Sequence, residues 1–253
     1  MTEFIPIENI LKSKAAPLIC YPRFDEKEAE ERLRELETLR VDGIELRGRH
    51  SLNGLPILGK GKTSIVTAAC FNGRLVALKM RRTDSSRCSM DHEAEKLRLA
   101  NLVNVGPRLL VSSNNFIIME FVEGEYFQDW LLRLESSQKR TLARIMKNLM
   151  QQARKLDEIG LDHGELSRAP KHIIIKGECP VIIDFESASL MRKPSNLQSL
   201  INYFYFNKKN RETIGRLLHI PQKRQLTELL KKYKDSKNEE NYESLIKLLS
   251  LEI

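Results

Sequence analysis

The sequence has few cysteines, few aromatic residues and no long hydrophobic run. Its 253 residues include four cysteines and one tryptophan, and aromatic residues make up 6% of the chain. The cysteines are widely spaced and form no C-x-x-C pair, which argues against disulfides and structural zinc and favours a reducing cytoplasm. No apolar stretch reaches the roughly 18 residues of a membrane helix, and the amino terminus lacks the pattern of a secretory signal. The sequence therefore predicts a cytoplasmic protein without membrane association.

The order of local patterns predicts an α+β fold with two lobes. A charged helix capped by Asp25 is expected over residues 25–40. Several β-rich segments follow up to residue 122, and Asn72-Gly73 is a strong hairpin turn between two of them. Helical patterns dominate from residue 123 onward. This order, with strands in the first half of the chain and helices in the second, predicts two lobes with a cleft between them. Ligands usually bind in such clefts.

Four segments occur in the order of the working parts of a phosphoryl-transfer site. These are Gly59-Lys60-Gly61-Lys62-Thr63-Ser64-Ile65-Val66, Val76-Ala77-Leu78-Lys79, His163-Gly164-Glu165-Leu166 and Ile182-Ile183-Asp184-Phe185-Glu186. In such a site a glycine-rich loop covers the nucleotide phosphates and a strand lysine neutralises them, while a catalytic loop positions the acceptor hydroxyl and an aspartate holds the metal. A Walker P-loop is excluded, because neither register of the glycines matches its pattern. The order of the segments therefore predicts an ATP-dependent enzyme.

The candidate nucleotide-binding residues come from the first half of the chain. Glycines let backbone N–H groups approach phosphate oxygens, and Met119-Glu120-Phe121-Val122 fits the connector that reads the adenine edge through its backbone. The full set is Gly59, Lys60, Gly61, Ser64, Val66, Ala77, Lys79, Met119, Glu120 and Val122.

Lys79 lies among apolar residues of a predicted strand and should be half buried. A buried ammonium needs an anionic partner. Glu93, on the following predicted helix, is the expected partner, and Glu95 is its competitor on a different side of that helix.

The chain resembles the atypical eukaryotic-like kinases of archaea, the broad group that holds the RIO kinases and the small kinase of the KEOPS complex. It is most similar to an archaeal predicted serine/threonine kinase family related to them. The catalytic loop of that group commonly reads H-G-D-L-S-x-x-N, and this chain has His163-Gly164-Glu165-Leu166-Ser167. The resemblance runs from about residue 55 to 206. It implies a bilobal protein-kinase-like fold with an antiparallel β-sheet N-lobe, a mainly helical, shortened C-lobe, and ATP with Mg²⁺ as cofactors.

Two positions depart from the family pattern. Glu165 stands where the family has its catalytic aspartate, and Asp162 is a spare carboxylate that can substitute for it. His172 stands near the position of the metal-binding asparagine and is the second candidate metal ligand; contact with a phosphate and simple packing are the alternatives. Because imidazole suits softer metals than magnesium, Asp184 is the firm metal ligand, and Mn²⁺ is an alternative to Mg²⁺. The resemblance implies that Lys79, Glu93, Glu165 and Asp184 form the catalytic set.

Four segments are expected: a helical amino-terminal extension over 1–54, a kinase N-lobe over 55–122, a C-lobe over 123–206 and a basic helical extension over 207–253.

The net charge of +8 is concentrated in residues 57–102 and in the segment from 207 onward, which has eleven basic and seven acidic side chains. Three functions remain open: a serine/threonine protein kinase, an ATP-binding switch or weak ATPase on a ribosomal or other RNA-protein assembly, and a nucleic-acid-binding module that uses the tail. The tail's candidate contacts are Arg211, Arg216, Lys223, Arg224, Lys231, Lys232 and Lys234.

Overall fold

A computed structural model describes residues 2–252, which form two compact units. The first unit comprises the chain up to Arg98 together with Pro107–Phe121, and the second comprises Leu99–Gly106 and the chain from Val122 onward. The α+β class expected from the sequence is confirmed. An antiparallel sheet dominates the first unit, and helices dominate the second.

The first unit is built on an antiparallel sheet of seven strands. Its strands are β1 (Glu3–Pro6), β2 (Val41–Leu46), β5 (Gly59–Lys60), β6 (Ser64–Phe71), β7 (Arg74–Arg81), β8 (Leu109–Ser112) and β9 (Phe116–Glu120). They pair in the order β1-β2-β6-β7-β9-β8, with β5 beside β6. A short hairpin joins β3 (His50–Leu52) to β4 (Leu55–Ile57). The sheet and the helices α1 (Ala16–Ile19) and α2 (Glu26–Thr38) share one apolar core. A third helix, α3 (Asp91–Leu102), follows β7 in the chain.

Two local signals in this unit are confirmed. The Asp25 side chain accepts a hydrogen bond of 2.9 Å from the Glu28 N–H and so caps α2. Asn72 and Gly73 both have positive φ, at 51° and 69°, and connect β6 to β7 as a tight hairpin. Positive φ at both central residues is typical of the type I′ turn that matches the twist of two antiparallel strands.

Residues 1–54 are not purely helical, and this expectation from the sequence was wrong. They contain β1 and β2, which extend the sheet beyond β6. Gly43 lies inside β2, where a Cβ would collide with the Ile5 carbonyl oxygen and the Phe4 ring. Its glycine therefore permits the close approach of β1 and does not mark the end of an element.

The second unit is mainly helical. Its helices are α4 (Phe127–Leu132), α5 (Lys139–Glu158), α6 (Asn196–Ile201), α7 (Lys208–Gly215), α8 (Lys223–Asp235) and α9 (Glu239–Leu248). Its three-stranded antiparallel sheet consists of β10 (Glu125–Tyr126), β11 (Ile173–Lys176) and β12 (Cys179–Ile182). A 3₁₀ segment covers Leu166–Lys171, and a π-helical turn covers Asn202–Phe206. The apolar stripe of α5, from Leu142 to Leu156, is buried as its spacing predicts.

Arg32 shows that α2 is not simply a solvent-facing helix. Its side chain is 1% exposed, although the helix is rich in Glu and Arg. The guanidinium donates to the backbone carbonyls of Ile19 at 2.9 Å and Arg81 at 2.6 Å, and to the Glu28 carboxylate at 2.6 Å. These acceptors belong to three separate segments, so Arg32 ties α2 to α1 and β7.

We expect Arg32→Met to lower the free energy of unfolding by about 2–4 kcal/mol, because two carbonyls lose their charged donor in a buried place. Urea denaturation measures the change. Arg34→Met is the matched control: Arg34 lies on the same helix, its side chain is 68% exposed, and it makes a single ion pair with Glu30. A loss within about 0.5 kcal/mol is expected there. Equal losses in the two variants would contradict the structural role of Arg32.

Candidate active site

The glycine-rich loop is a tight connection between β5 and β6. The Gly61 N–H donates to the Ser64 carbonyl at 2.8 Å, and Gly59 pairs with Val66 across the two strands. The Ser64 side chain is buried, while Lys60 and Gly61 are exposed. The backbone of Gly61 and the Lys60 side chain are therefore accessible to solvent at the turn, as a phosphate-covering loop requires.

Two residues that the sequence did not indicate hold this loop in place. Arg82 donates from Nη1 to the Gly61 carbonyl at 3.0 Å and from its backbone N–H to the Thr63 carbonyl at 2.8 Å. The Tyr21 ring has the Arg82 guanidinium 5.0 Å and the Lys60 ammonium 4.9 Å from its centre. Such cation–π contacts join residues far apart in sequence, and no local pattern marks them.

Lys79 and Glu93 form a buried ion pair, as the sequence predicts. The Lys79 ammonium lies 2.6 Å from the Glu93 carboxylate, and their side chains are 5% and 7% exposed. Glu95 is exposed and pairs with its neighbour Lys96 at 2.9 Å. The pairing selects Glu93 over Glu95 because only Glu93 lies on the buried side of α3.

The predicted adenine-side residues lie along the end of β9. Ala77 is buried and stands opposite Met119 in the sheet, while Val76 stands opposite Glu120. Met119 is half buried and Glu120 is exposed. Val122 is half buried and begins the main segment of the second unit.

In the second unit, Asp184 lies two residues after the end of β12 and has a φ of 70°, a value uncommon for a residue other than glycine. The His172 Nδ1 lies 3.7 Å from the Asp184 Oδ2, and the Ile183 N–H donates to the His172 carbonyl at 2.9 Å. Backbone pairing thus brings together the two residues that the sequence predicts as metal ligands. Strained backbone of this kind is often found at functional sites.

Glu186 is a further candidate ligand that the sequence analysis did not assign. Carboxylate oxygens of Asp184 and Glu186 lie within 4.8 Å of each other. Both are oxygen ligands of the type that Mg²⁺ prefers, so these residues fit a magnesium ion that keeps several of its waters. The imidazole of His172 suits Mn²⁺ or Zn²⁺ better. A bound divalent ion there would neutralise phosphate charge.

His163 is completely buried and organises the catalytic loop. Its Nε2 lies 3.1 Å from the Ile183 carbonyl oxygen, so Nε2 carries the hydrogen, because a carbonyl only accepts. The ring packs edge-on against Phe185 with centroids 4.9 Å apart, and the His163 backbone N–H donates to Asn196 Oδ1 at 2.8 Å. Burial, with a smaller contribution from the nearby His172, lowers the pKa of His163 to about 4.

Glu165 and Asp162 occupy different environments. Glu165 is half buried; it accepts a hydrogen bond of 3.0 Å from the Ser187 hydroxyl and lies 3.9 Å from the Arg168 guanidinium. The Asp162 carboxylate accepts from Arg192 Nε at 2.7 Å and from the Ser195 N–H at 3.3 Å. Asp162 is therefore engaged in holding the chain after Ser187, and Glu165 is the carboxylate that keeps exposed surface in the catalytic loop.

Gly164, between them, has a φ of 85°. A Cβ there would lie 2.5 Å from the Arg192 guanidinium and 2.9 Å from the Ser187 carbonyl oxygen. The loop accordingly needs a glycine at this position.

The comparison with protein families agrees with this arrangement. A family model described as the RIO domain matches residues 68–203, which are more than half of the chain. The chain belongs to the RIO-domain family. An uncharacterized protein of Methanocaldococcus jannaschii is 27% identical over 118 residues, which are 46% of this chain and 98% of that relative.

Membership in this family confirms a RIO-like atypical kinase architecture and supports ATP binding as the function class. The matched region begins after the glycine-rich loop and includes Lys79, Glu93, Glu165, His172 and Asp184. Among the residues from 2 to 252, no helix has the length and apolar character needed to cross a membrane.

The buried His163 predicts a stability loss in mild acid. The unfolded chain takes up this proton near pH 6.5, whereas the folded chain does so only near pH 4. Stability is therefore complete above pH 6.5 and falls as the pH is lowered from 6.5 towards 4. The expected contribution at pH 5 is a loss of about 2 kcal/mol relative to pH 7.

Urea denaturation of the wild type and of His163→Gln at both pH values tests this. Glutamine retains an N–H donor for the Ile183 carbonyl but has no titrating group, so its pH-dependent loss should be smaller by that amount. His219→Gln is the control, because His219 is exposed and should leave the profile unchanged. Identical acid losses in the wild type and His163→Gln would refute the prediction.

Proposed function

We propose that the chain is an ATP-dependent phosphotransferase, an atypical serine/threonine protein kinase of the RIO group. In this proposal, the loop from Gly59 to Ser64 covers the phosphates and Lys79 neutralises them. Asp184, with Glu186, holds Mg²⁺, and Mn²⁺ is the alternative metal. Backbone groups near Met119 to Val122 bind the adenine edge, and Glu165 orients the acceptor hydroxyl. A cytoplasmic location and an archaeal origin remain predictions from the sequence.

The observation that carries the proposal is the buried ion pair of Lys79 and Glu93 at 2.6 Å. Replacing a buried ion pair by apolar residues is often neutral or stabilising. Stability alone therefore does not explain why the protein has the Lys79–Glu93 pair. A lysine fixed on a central strand has a defined chemical use where it neutralises phosphate oxygens. The RIO-domain match supports this reading, since it covers both residues.

Nucleotide binding is the first test. We expect calorimetry with ATP and Mg²⁺ to show binding in the wild type and at least about ten-fold weaker binding in Asp184→Ala, because a metal-bridged contact to phosphate is lost. The double variant Lys79→Met with Glu93→Gln should also weaken binding, and it leaves no unpaired buried charge that would unfold the unit.

Two charge-matched controls lie on the exposed part of α7. Lys209→Ala and Glu212→Ala remove the same charges from exposed positions and should bind ATP like the wild type. The absence of ATP binding by folded wild-type protein at millimolar nucleotide would end the proposal.

Glu165 is proposed as the base in preference to Asp162. Its side chain is 28% exposed and its hydrogen bonds come from Ser187 and, at longer range, Arg168. The Asp162 side chain is 11% exposed and is bound by Arg192. An acceptor hydroxyl can therefore reach Glu165 more easily. The carboxylate is one methylene farther from the backbone than the family aspartate, and the Ser187 hydrogen bond fixes the longer side chain.

We expect Glu165→Gln to lower phosphoryl transfer by about 10²–10⁴-fold while ATP affinity stays unchanged, since a general base acts in the chemical step. Autophosphorylation with labelled ATP measures the rate, and calorimetry measures the affinity. Asp162→Asn serves as the comparison: it should lower the melting temperature by weakening the contact with Arg192. Undiminished transfer in Glu165→Gln would show that Glu165 is not the base.

A second function, an ATP-binding switch or weak ATPase on a ribosomal or other RNA-protein assembly, is favoured by one specific observation. The carboxylate at the base position already accepts a hydrogen bond from Ser187 and lies 3.9 Å from the Arg168 guanidinium, so an acceptor hydroxyl has to compete with these contacts. Release of phosphate without protein labelling in the same assay would support the switch over the kinase. In either case the basic tail is the proposed contact for an RNA-containing partner.

A further inference from the structure

The second unit contains a cavity on which no residue of the His163–Leu166 segment borders. It has a volume of about 420 Å³ and is lined by residues of 193–202, by α8 and by the segment that follows α8. Cavities of roughly 300–1,000 Å³ are typical of small-molecule sites. Neither the proposed nucleotide contacts nor the proposed catalytic residues line it.

The lining is strongly basic. Lys193, Lys234 and Lys237 contribute three positive charges, and Asp157 contributes one negative charge, so the charged lining residues sum to +2. Within residues 2–252, Lys193 and Lys234 have no carboxylate partner. Two ammonium groups are therefore available to an anion that enters the cavity.

The single acidic residue of the lining, Asp157, is already hydrogen-bonded within the protein. The Asp157 side chain is 1% exposed, and its Oδ1 accepts hydrogen bonds from the Asn196 N–H at 2.8 Å and from the Asn196 side chain at 2.9 Å. Lys237 lies 4.0 Å from the same oxygen and donates to the Pro194 carbonyl at 2.5 Å. Asp157 thus anchors Lys237 at the cavity wall, and its charge is turned away from solvent.

Tyr233 supplies an independent indication of a ligand. The residue lines the cavity and is 2% exposed, yet its hydroxyl has no hydrogen-bond partner in the part of the chain that the structure describes. A buried hydroxyl without a partner is unfavourable, because it has lost its hydrogen bonds to water. Burial raises the pKa of this phenol, so the hydroxyl stays a hydrogen-bond donor at neutral pH.

We propose that this cavity is a second anion site that binds a small phosphate-bearing ligand, held by Lys193 and Lys234, with the Tyr233 hydroxyl as donor. Phosphate groups match lysine ammonium groups, which bind them as point charges, and they accept hydrogen bonds from hydroxyls. Ser195 and Ser199, also in the lining, add further hydroxyl donors. The volume accommodates more than one phosphate group, so pyrophosphate is the suitable probe.

The test is calorimetric titration of the full chain with pyrophosphate at physiological ionic strength, where attraction to scattered surface lysines is screened. The titration is made in Asp184→Ala, so that the proposed nucleotide site contributes less to the signal. Pyrophosphate should bind this variant, and the further changes Lys193→Ala and Lys234→Ala should each weaken binding about ten-fold, because each removes a charged contact.

Matched controls lie on the same helix. Lys231→Ala with Lys232→Ala removes two exposed lysines of α8 that do not line the cavity, and binding should stay within about two-fold of the parent. Tyr233→Phe should weaken binding several-fold while leaving the melting temperature unchanged or raised, since it removes an unpartnered hydroxyl.

Three results would overturn the proposal: no pyrophosphate binding by folded Asp184→Ala, equal weakening by the Lys231 and Lys232 control, or unchanged affinity in Tyr233→Phe. These outcomes are separate from the fate of the proposed kinase function. Loss of ATP binding in the wild type with intact pyrophosphate binding in Asp184→Ala would remove the kinase and leave this cavity site standing.

Discussion

A charged group that leaves water must find a partner inside the protein, and this constraint shapes both units. In the first unit the Lys79 ammonium is buried on a central strand and is compensated by Glu93 from α3. The pairing fixes the rotation of α3, because it requires one side of that helix to face β7, and so it leaves Glu95 on the exposed side. Arg32 follows the same rule with mixed partners, since its guanidinium donates to two backbone carbonyls and to the Glu28 carboxylate.

In the second unit the side chain of Asn196 satisfies a buried carboxylate, that of Asp157. Asn196 donates to Asp157 and to the Leu161 carbonyl at 2.7 Å, and it accepts from the His163 backbone. The first residue of α6 therefore joins the end of α5 to the start of the catalytic loop. Burial raises the pKa of Asp157, while the hydrogen bonds from Asn196 favour its charged form. The catalytic loop is thus joined through Asn196 to the buried Asp157 carboxylate, and the hydrogen bonds from Asn196 stabilise that carboxylate.

Features that depend on local chemistry were predictable from the sequence. The Asn72-Gly73 hairpin, the Asp25 cap and the placement of Glu93 beside Lys79 each follow from a short pattern and its spacing. Features that depend on distant partners were not. The strands β1 and β2 are short and are stabilised by pairing with each other and with β6. The need for glycine at position 43 comes from Ile5, which is remote in sequence. The contacts of Tyr21 with Lys60 and Arg82 arise in the same way.

The carboxylates of the second unit fall into two groups. In one group hydrogen bonds within the protein occupy the oxygens, and in the other the side chain stays partly exposed. Asp157 and Asp162 have side chains 1% and 11% exposed, and backbone N–H groups together with Asn196 or Arg192 occupy their oxygens. Asp184 and Glu165 are 38% and 28% exposed. A carboxylate that the fold has saturated serves structure, because a ligand would have to displace its donors at a cost of about 1–3 kcal/mol for each. A carboxylate that keeps accessible surface beside a strained backbone or a catalytic loop can receive a metal ion or a proton. Spacing alone does not separate Asp162 from Glu165, since they are three residues apart in one loop; their hydrogen bonds do.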